Sequence, residues 1–536
     1  MTKEIYNDFY NKHGVGVHSD PYRFRETAKL CKGRVLDIGC GTGDLADYYT
    51  GEYIGIDVSD VAIKLAKKSR REDAVFCEIN SDKDIGLLYK TIDTFVIAEV
   101  LEHIEDDSVI LNEIKKMASP NARIIISVPN GNRVPDENHL REFTVPELRA
   151  KFSPFGKVKF HNWVGFEHRI LMTVEMGEEN ADNLTLAMMC WNEEKGLEKA
   201  ILSAIEIVDK VVISIDNKSD DKTLEIAKRY ADVIKRHEWE NDFAKARNFT
   251  QEGITSKWIL SLDGHEFIEQ SPFIETLLKE ETDGLFVTVR METGETFVTT
   301  RIYRNGLIWE HAIHNSIPVK TTTKYSAFII VHDREGGQSE ESTKKRLEQV
   351  RDTMGVELKK EIKNPKTRIR ALFYLARYYR QFYQWKKALK YYKKYIRESK
   401  FVGEKWLCCY EAGIIANTLG KPLTALSLFE KANQTIPDRW EIYKQIGLVY
   451  MTFERHKKAL VYLIRSLEPN KETHAFNPEK PDAGDTWDKI GFCFFHEHKY
   501  FEAKQSWERA VEIGTDKIQV KMNKARIEML ERQYGV

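Results

Sequence analysis

A chain of 536 residues is too long for one hydrophobic core and implies three or four domains at roughly 100–200 residues each. Its 42% hydrophobic and 31% charged residues exclude bulk disorder, and 82 Lys+Arg against 83 Asp+Glu give a net charge of −1, which excludes overall attraction to a polyanion. The seven cysteines are scattered without a Cys-x-x-Cys pair, so no disulfide framework or zinc knuckle is indicated. An N-terminus without an apolar signal region, and no apolar run of about 18 residues, lead us to expect a cytoplasmic protein with no membrane partner.

From about Arg34 to Val174 short apolar runs alternate with amphipathic stretches, the pattern of a parallel sheet with crossover helices. Val35–Ile38, Tyr53–Ile56, Thr94–Ile97 and Arg123–Val128 are the expected buried strands. The first runs into the turn Gly39-Cys40-Gly41-Thr42-Gly43, where glycines let the backbone approach a ligand closely. Asp57 ends the second strand, fourteen residues after Gly43, where a carboxylate can accept both hydroxyls of a ribose. Asp37-x-Gly-x-Gly-x-Gly differs from the Gly-x-Gly-x-x-Gly turn of dinucleotide folds.

With Glu99-Val-Leu-Glu-His-Ile104, Val128-Pro-Asn130 and His139-Leu-Arg-Glu-Phe-Thr144, this stretch resembles class I methyltransferases of the small-molecule O-methylating type. The resemblance implies a Rossmann-like domain over residues 1–177 that binds S-adenosylmethionine. Asp37, Gly39 and Gly41 would line the methionine part, Asp57 the ribose and Asn80 the adenine. Glu99 and His103 would sit over the methyl group. His103 or His139 would be the base that relieves the nucleophile of its proton, the alternative being a histidine that only packs a helix.

A polar break at 178–183 reads as a linker, and a second strand–helix alternation follows over 184–337. Its signals are Asn192-Glu193-Glu194 after an apolar strand, Asp216 at the end of the next, then Asp242-Phe-Ala-Lys-Ala-Arg-Asn248 and Asp263-Gly-His265-Glu266. Together and in this order they resemble inverting, A-fold, family 2-like glycosyltransferases, nearest the sublancin-type branch in which tetratricopeptide repeats follow. By that resemblance Asn192, Glu193 and Asp216 hold the nucleoside of a UDP-sugar, and Asp242, Arg247 and Asn248 orient sugar and diphosphate. Asp263 and His265 occupy the metal-binding Asp-x-Asp position. Histidine at its third place favours manganese over magnesium, which prefers oxygen ligands. His332 is the candidate third ligand, with His311 and His314 behind it. His314-Asn315 stands where relatives carry His-Glu, so Glu310 or Glu266 must serve as base, unless the acceptor is already ionised, as a thiolate is.

Over 338–536 helical periodicity takes over. Ala388, Ala425, Ala459 and Ala503 lie 37, 34 and 44 residues apart, and each has a small residue twelve before it (Ala376, Gly413, Gly447, Gly491) and a bulky one four after (Tyr392, Phe429, Leu463, Trp507). This resembles the tetratricopeptide repeat, a solenoid of paired helices. The long third spacing places an insertion near Pro469–Thr486. Between Lys344 and Lys400, 19 Lys/Arg face 5 Asp/Glu among interleaved aromatics. Aromatics in the interhelix core under a Lys/Arg coat are the plainer reading, and a groove for an acidic or single-stranded nucleic-acid acceptor is the other.

The expectation is therefore a multidomain α/β plus all-α enzyme that joins sugar transfer to methylation of the sugar or its acceptor, a peptide, protein or glycan. A homodimer through the repeats is an open partner reading. A repeat scaffold with a vestigial enzyme domain and a glycosyltransferase of nucleic-acid bases are the alternatives.

Overall fold

The computed structural model describes residues 3–16, 21–79, 91–136, 138–163, 167–178, 183–271, 274, 278–279, 281–292, 296–312, 315–319, 321, 324–333, 354–468, 483–514 and 516–536. Asn80, His314 and most of the expected linker lie outside the described residues. The chain divides into two compact units, Met1–Thr343 and Lys344–Val536, so both α/β halves belong to one unit.

The first half opens with α1 (Lys3–His13) and α2 (Pro21–Leu30) and builds a seven-stranded sheet. Its strands are β1 (Val35–Ile38), β2 (Tyr53–Asp57), β3 (Val75–Glu78), β4 (Ile92–Ala98), β5 (Ala118–Pro129), β6 (Gly156–Phe160) and β7 (Arg169–Met176), in the order β3-β2-β1-β4-β5-β7-β6. The five strands up to β5 pair in parallel, as β-rich runs joined by crossover helices require, while β7 lies antiparallel to both β5 and β6. The helices start where capping side chains sit. Ser59 accepts from Ala62 N at 3.1 Å to begin α3 (Asp60–Ser69), and Thr144 with Glu147 forms a capping box on α5 (Val145–Phe152). Between them α4 (Ser108–Met117) buries Ile110, Leu111, Ile114 and Met117.

The second half repeats the scheme with β8 (Leu184–Cys190), α6 (Leu197–Ala204), β9 (Lys210–Asp216), α7 (Thr223–Tyr230), β10 (Val233–His237), α8 (Phe243–Gln251) and β11 (Trp258–Asp263). The strands β12 (Glu266–Gln270), β13 (Gly284–Met291), β14 (Thr296–Arg304) and β15 (Lys324–His332) extend it to the order β10-β9-β8-β11-β14-β13-β15-β12. β15 runs antiparallel to β12 in a register that sets His332 opposite Glu266. One apolar core runs through both halves, from Val35 to Ile330. At their boundary Arg149 of α5 ion-pairs with Asp232 at 2.9 Å.

The second unit is all helix: α9 (Arg368–Gln381), α10 (Trp385–Glu398), α11 (Val402–Thr418), α12 (Pro422–Thr435), α13 (Trp440–Thr452), α14 (His456–Arg465), α15 (Ala483–His496), α16 (Tyr500–Ile513) and α17 (Lys517–Tyr534). The first eight form four hairpins, and three of the expected small-to-large pairs are contacts within them. A Cβ on Gly413, Gly447 or Gly491 would strike Phe429, Leu463 or Trp507 within 2.7 Å. The insertion expected near Pro469–Thr486 falls mostly outside the described residues, which resume at 483 with α15. Of the interleaved aromatics Tyr379, Tyr392 and Tyr395 are buried in this core, whereas Tyr383 stands exposed.

Candidate active sites

The first site gathers at the C-terminal ends of β1, β2, β4 and β5. Gly39 and Gly41 both take positive φ, and a side chain there would meet Val100 at 2.5 Å and the Tyr10 hydroxyl at 2.6 Å. Gly41 N and Ser59 N donate to the two oxygens of Asp57, each at 2.8 Å, so the strand-end carboxylate ties the glycine turn to the start of α3. Asp57 is 7% exposed, and its remaining lone pairs are the ones a ribose would use. Burial lifts it above the usual carboxylate range, against the amides of Ser59 and Gly41. Asp37 accepts from Tyr53 Oη, and burial pushes it up to about 7.

Glu99, in a left-handed conformation at φ 56°, accepts from Ser127 Oγ at 2.8 Å and Arg169 Nε at 3.0 Å, with Arg23 Nη1 at 3.9 Å. Next to it, Glu102, His103 and His139 bring three ligand atoms within 4.8 Å of one another. The His103 and His139 rings lie 5.0 Å apart. His103 Nδ1 lies 3.1 Å from Asn138 O, an acceptor that makes Nδ1 the protonated nitrogen and leaves the lone pair on Nε2. Burial lowers its pKa, so the ring is neutral and able to take a proton. Both Glu102 oxygens are buried without a hydrogen-bond partner among the described residues, and burial, then the neighbouring Glu99, pushes that acid up to about 8.

The second site lies at the C-terminal ends of β8, β9 and β11. Asn192, at φ 50°, bridges the first two loops: Nδ2 donates to Asp220 Oδ1 at 2.8 Å and Oδ1 accepts from Asp220 N at 3.0 Å. Asp216, 5% exposed, accepts from Lys218 N at 2.8 Å and shapes the same loop. His265 and His332 meet edge to face with ring centroids 4.5 Å apart. Each Nδ1 is backed by a carboxylate, His265 by Glu193 at 3.2 Å and His332 by Glu266 at 3.3 Å. Each Nε2 is buried with no partner among the described residues. Asp263 Oδ1 is held by Arg247 Nη2 at 2.6 Å. Against the penalty of burial, Arg247 and Arg301 keep Asp263 well below the usual carboxylate range. Imidazole and carboxylate are ligand types a divalent transition metal takes, yet among the described residues Glu102, His103 and His139 of the first site, and not Asp263, His265 and His332, bring three ligand atoms within 4.8 Å of one another.

Four of the expected site residues have partners within the fold. Glu266 is 1% exposed, with Oε1 on Arg301 and His332 and Oε2 taking Asp263 N at 3.0 Å, so both its oxygens are engaged within the fold. Glu193, expected at the nucleoside, is 2% exposed and orients His265. Asp242 caps α8 by accepting from Lys245 N at 2.9 Å. Asn248 spends its amide on the Trp309 backbone, donating at 3.0 Å and accepting at 2.8 Å, so it holds the loop after β14. Glu310 has a side chain 58% exposed and open to an acceptor. His311 lies 4.0 Å from that carboxylate.

Residues 31–182 match the family model "Methyltransferase domain", and residues 185–339 match "Glycosyl transferase family 2". The chain carries both domains. The first implies S-adenosylmethionine and the second a nucleotide-sugar donor. Over 148 residues the chain is 28% identical to the mitochondrial ubiquinone biosynthesis O-methyltransferase of Schizosaccharomyces pombe, covering 26% of this chain and 53% of that protein. Over 97 residues it is 33% identical to the SPbeta prophage-derived glycosyltransferase SunS of Bacillus subtilis, covering 17% of this chain and 23% of that protein. The chain thus spans about half the length of the first relative and under a quarter of the second. The solved structure of YrrB, a TPR protein with an unusual peptide-binding site, overlaps 34% of this chain and 86% of its own at 17% identity and a TM-score of 0.28. No helix of the described residues is long and apolar enough to cross a membrane.

Sequence reasoning missed three groups at these sites. Arg23 is a buried cation near Glu99 and Asp37. Helix α1 covers the first site, with Tyr10 on Gly41 and Tyr6 6.3 Å from the His103 ring. Arg301 is the counter-charge of the second. Tyr6 and Tyr10, four apart on one helix face, with Glu4 in the first turn and Lys12 and His13 in the last, are the local signals for α1.

Proposed function

We propose that this protein transfers a sugar from a UDP-sugar to a peptide, protein or glycan acceptor in the cytoplasm, with inversion and a divalent metal, manganese before magnesium. It methylates that sugar or acceptor with S-adenosylmethionine. The observation that carries the reading is the pair of buried Nε2 atoms on His265 and His332, each histidine backed by its own carboxylate, in the same compact unit as the Asp57-tied glycine turn.

For sugar transfer, His265, His332 and Asp263 would hold the cation, whose charge offsets the negative charge building on the departing diphosphate. Asn192 and Asp216 shape the nucleoside loops, and Arg247 adds a fixed positive charge beside Asp263. Glu310, whose side chain is exposed, would take the acceptor's proton. For methyl transfer, Asp57 holds the ribose and Arg23, Asp37 and Glu99 surround the methionine end. His103 Nε2 removes the proton of the attacking group.

Intact-mass analysis of candidate acceptors, after incubation with UDP-sugars, manganese and S-adenosylmethionine, tests both activities. A hexose or N-acetylhexosamine gain followed by a methyl gain is expected. No transfer and no hydrolysis of either donor would remove the proposal.

One observation favours a second reading of the methyl end. The partnerless Glu102 carboxylate beside His103 and His139 would also hold a divalent cation that acidifies an acceptor hydroxyl. Manganese titration followed by electron paramagnetic resonance separates the readings: two ions per chain, reduced to one by Glu102→Gln, support the metal, and one ion unchanged by that substitution supports the base.

A further inference from the structure

A polar chain crosses between the two domains. Asn130, which follows β5, is fully buried, and its Nδ2 donates to Tyr230 Oη at 2.9 Å. Tyr230, the last residue of α7, is also fully buried and donates in turn to Glu198 Oε1 at 2.5 Å. Glu198 lies in the first turn of α6 and receives Arg133 Nη2 at 3.0 Å. From there the chain reaches the methyl site through the backbone. Arg133 Nη1 donates to Glu167 O at 2.9 Å, and Asn130 N to His168 O at 2.8 Å. The next residue is Arg169, whose Nε holds Glu99.

Its central members are buried, where losing one partner of a hydrogen bond costs most. Burial, then the Glu198 carboxylate, pushes the Tyr230 phenol above its ordinary range, so it stays protonated and can donate. Arg149–Asp232 crosses the same boundary, and neither residue touches the 167–169 segment in the contacts described.

We propose that Tyr230 and Glu198, carried by the glycosyltransferase domain, are positioning residues for the methyltransferase. Through Asn130 and Arg133 they fix the 167–169 segment, and with it the Arg169–Glu99 pair at the methionine end of the donor pocket. This rests on the methyl-donor reading of that pocket. The glycosyltransferase domain then supports the methyltransferase site through that segment.

Calorimetry on the full chain tests it, with S-adenosylhomocysteine as one probe and UDP with manganese chloride as the other. Tyr230→Phe and Glu198→Gln are expected to weaken S-adenosylhomocysteine about three- to tenfold and to leave UDP–manganese affinity within about twofold. Asp232→Asn, the boundary control, is expected to change neither affinity even where it lowers the melting temperature. If Tyr230→Phe does not fold, Glu198→Gln carries the comparison. Unchanged S-adenosylhomocysteine affinity in both variants overturns the inference while leaving the methyl-donor reading in place, and so does equal weakening by Asp232→Asn. Failure of the unmodified chain to bind S-adenosylhomocysteine removes that reading and the inference with it.

Discussion

Both candidate sites bring two histidines together, and they treat charge in opposite ways. In the methyltransferase domain burial dominates: Asp37, Asp57 and Glu102 are all lifted, and His103 is held neutral against a backbone carbonyl. In the glycosyltransferase domain compensation dominates. Arg247 and Arg301 outweigh burial to hold Asp263 down, Arg301 with the His332 hydrogen bond does so for Glu266, and Glu193 outweighs it to raise His265. A neutral, desolvated imidazole suits proton removal, whereas a carboxylate-backed one is a strong metal ligand. The two histidine pairs thus differ in what stands behind Nδ1, a backbone carbonyl at His103 and a carboxylate at His265 and His332.

That contrast is broken most sharply on the sugar side. His265→Ala should lower donor turnover on the order of 10³-fold and abolish manganese binding, with methyl transfer unchanged. Sugar transfer that survives without metal dependence would make His265 an ordinary core histidine. His103→Gln should lower methyl transfer on the order of 10²-fold without weakening S-adenosylhomocysteine, since it removes a proton acceptor and spares the donor pocket. Weaker still, Glu266→Gln should cost about tenfold in manganese affinity, because it loosens His332 without removing a ligand. If Glu266 were the base, affinity would hold and only turnover would fall.

Residues placed by local geometry were legible in the sequence. Asp57 and Asp216 end apolar strands, and the Ala376/Tyr392, Gly413/Phe429, Gly447/Leu463 and Gly491/Trp507 pairs follow from the fixed geometry of a helix hairpin. The metal motif and His332 could be named as candidates for the same reason. Their backing could not. Glu266 faces His332 only because β12 pairs with β15 across 66 residues, and Glu193 reaches His265 across 72. Asn130 and Tyr230, 100 residues apart, belong to different domains, and nothing in either local pattern announces the other. Partners supplied by distant strand register leave no mark on either local pattern.

The smallest expected effect probes the desolvated side through stability. Asp37 titrates near 7 in the folded protein against an ordinary value of 3.8, so between those limits the folded state keeps a proton that the unfolded state has released. Stability from this group is full below about pH 4, falls as pH rises toward 7 and is flat above. Asp37→Asn keeps an oxygen for the Tyr53 hydroxyl and removes the titration. Comparing the two proteins cancels the other carboxylates, and the difference in unfolding free energy should shift against the wild type by about 1 kcal/mol per pH unit at most across that window. Urea unfolding at pH 5 and 7 reads this directly. A difference that does not change with pH would mean that Asp37 is ionised throughout, and the methyl site would then be as charge-compensated as its neighbour.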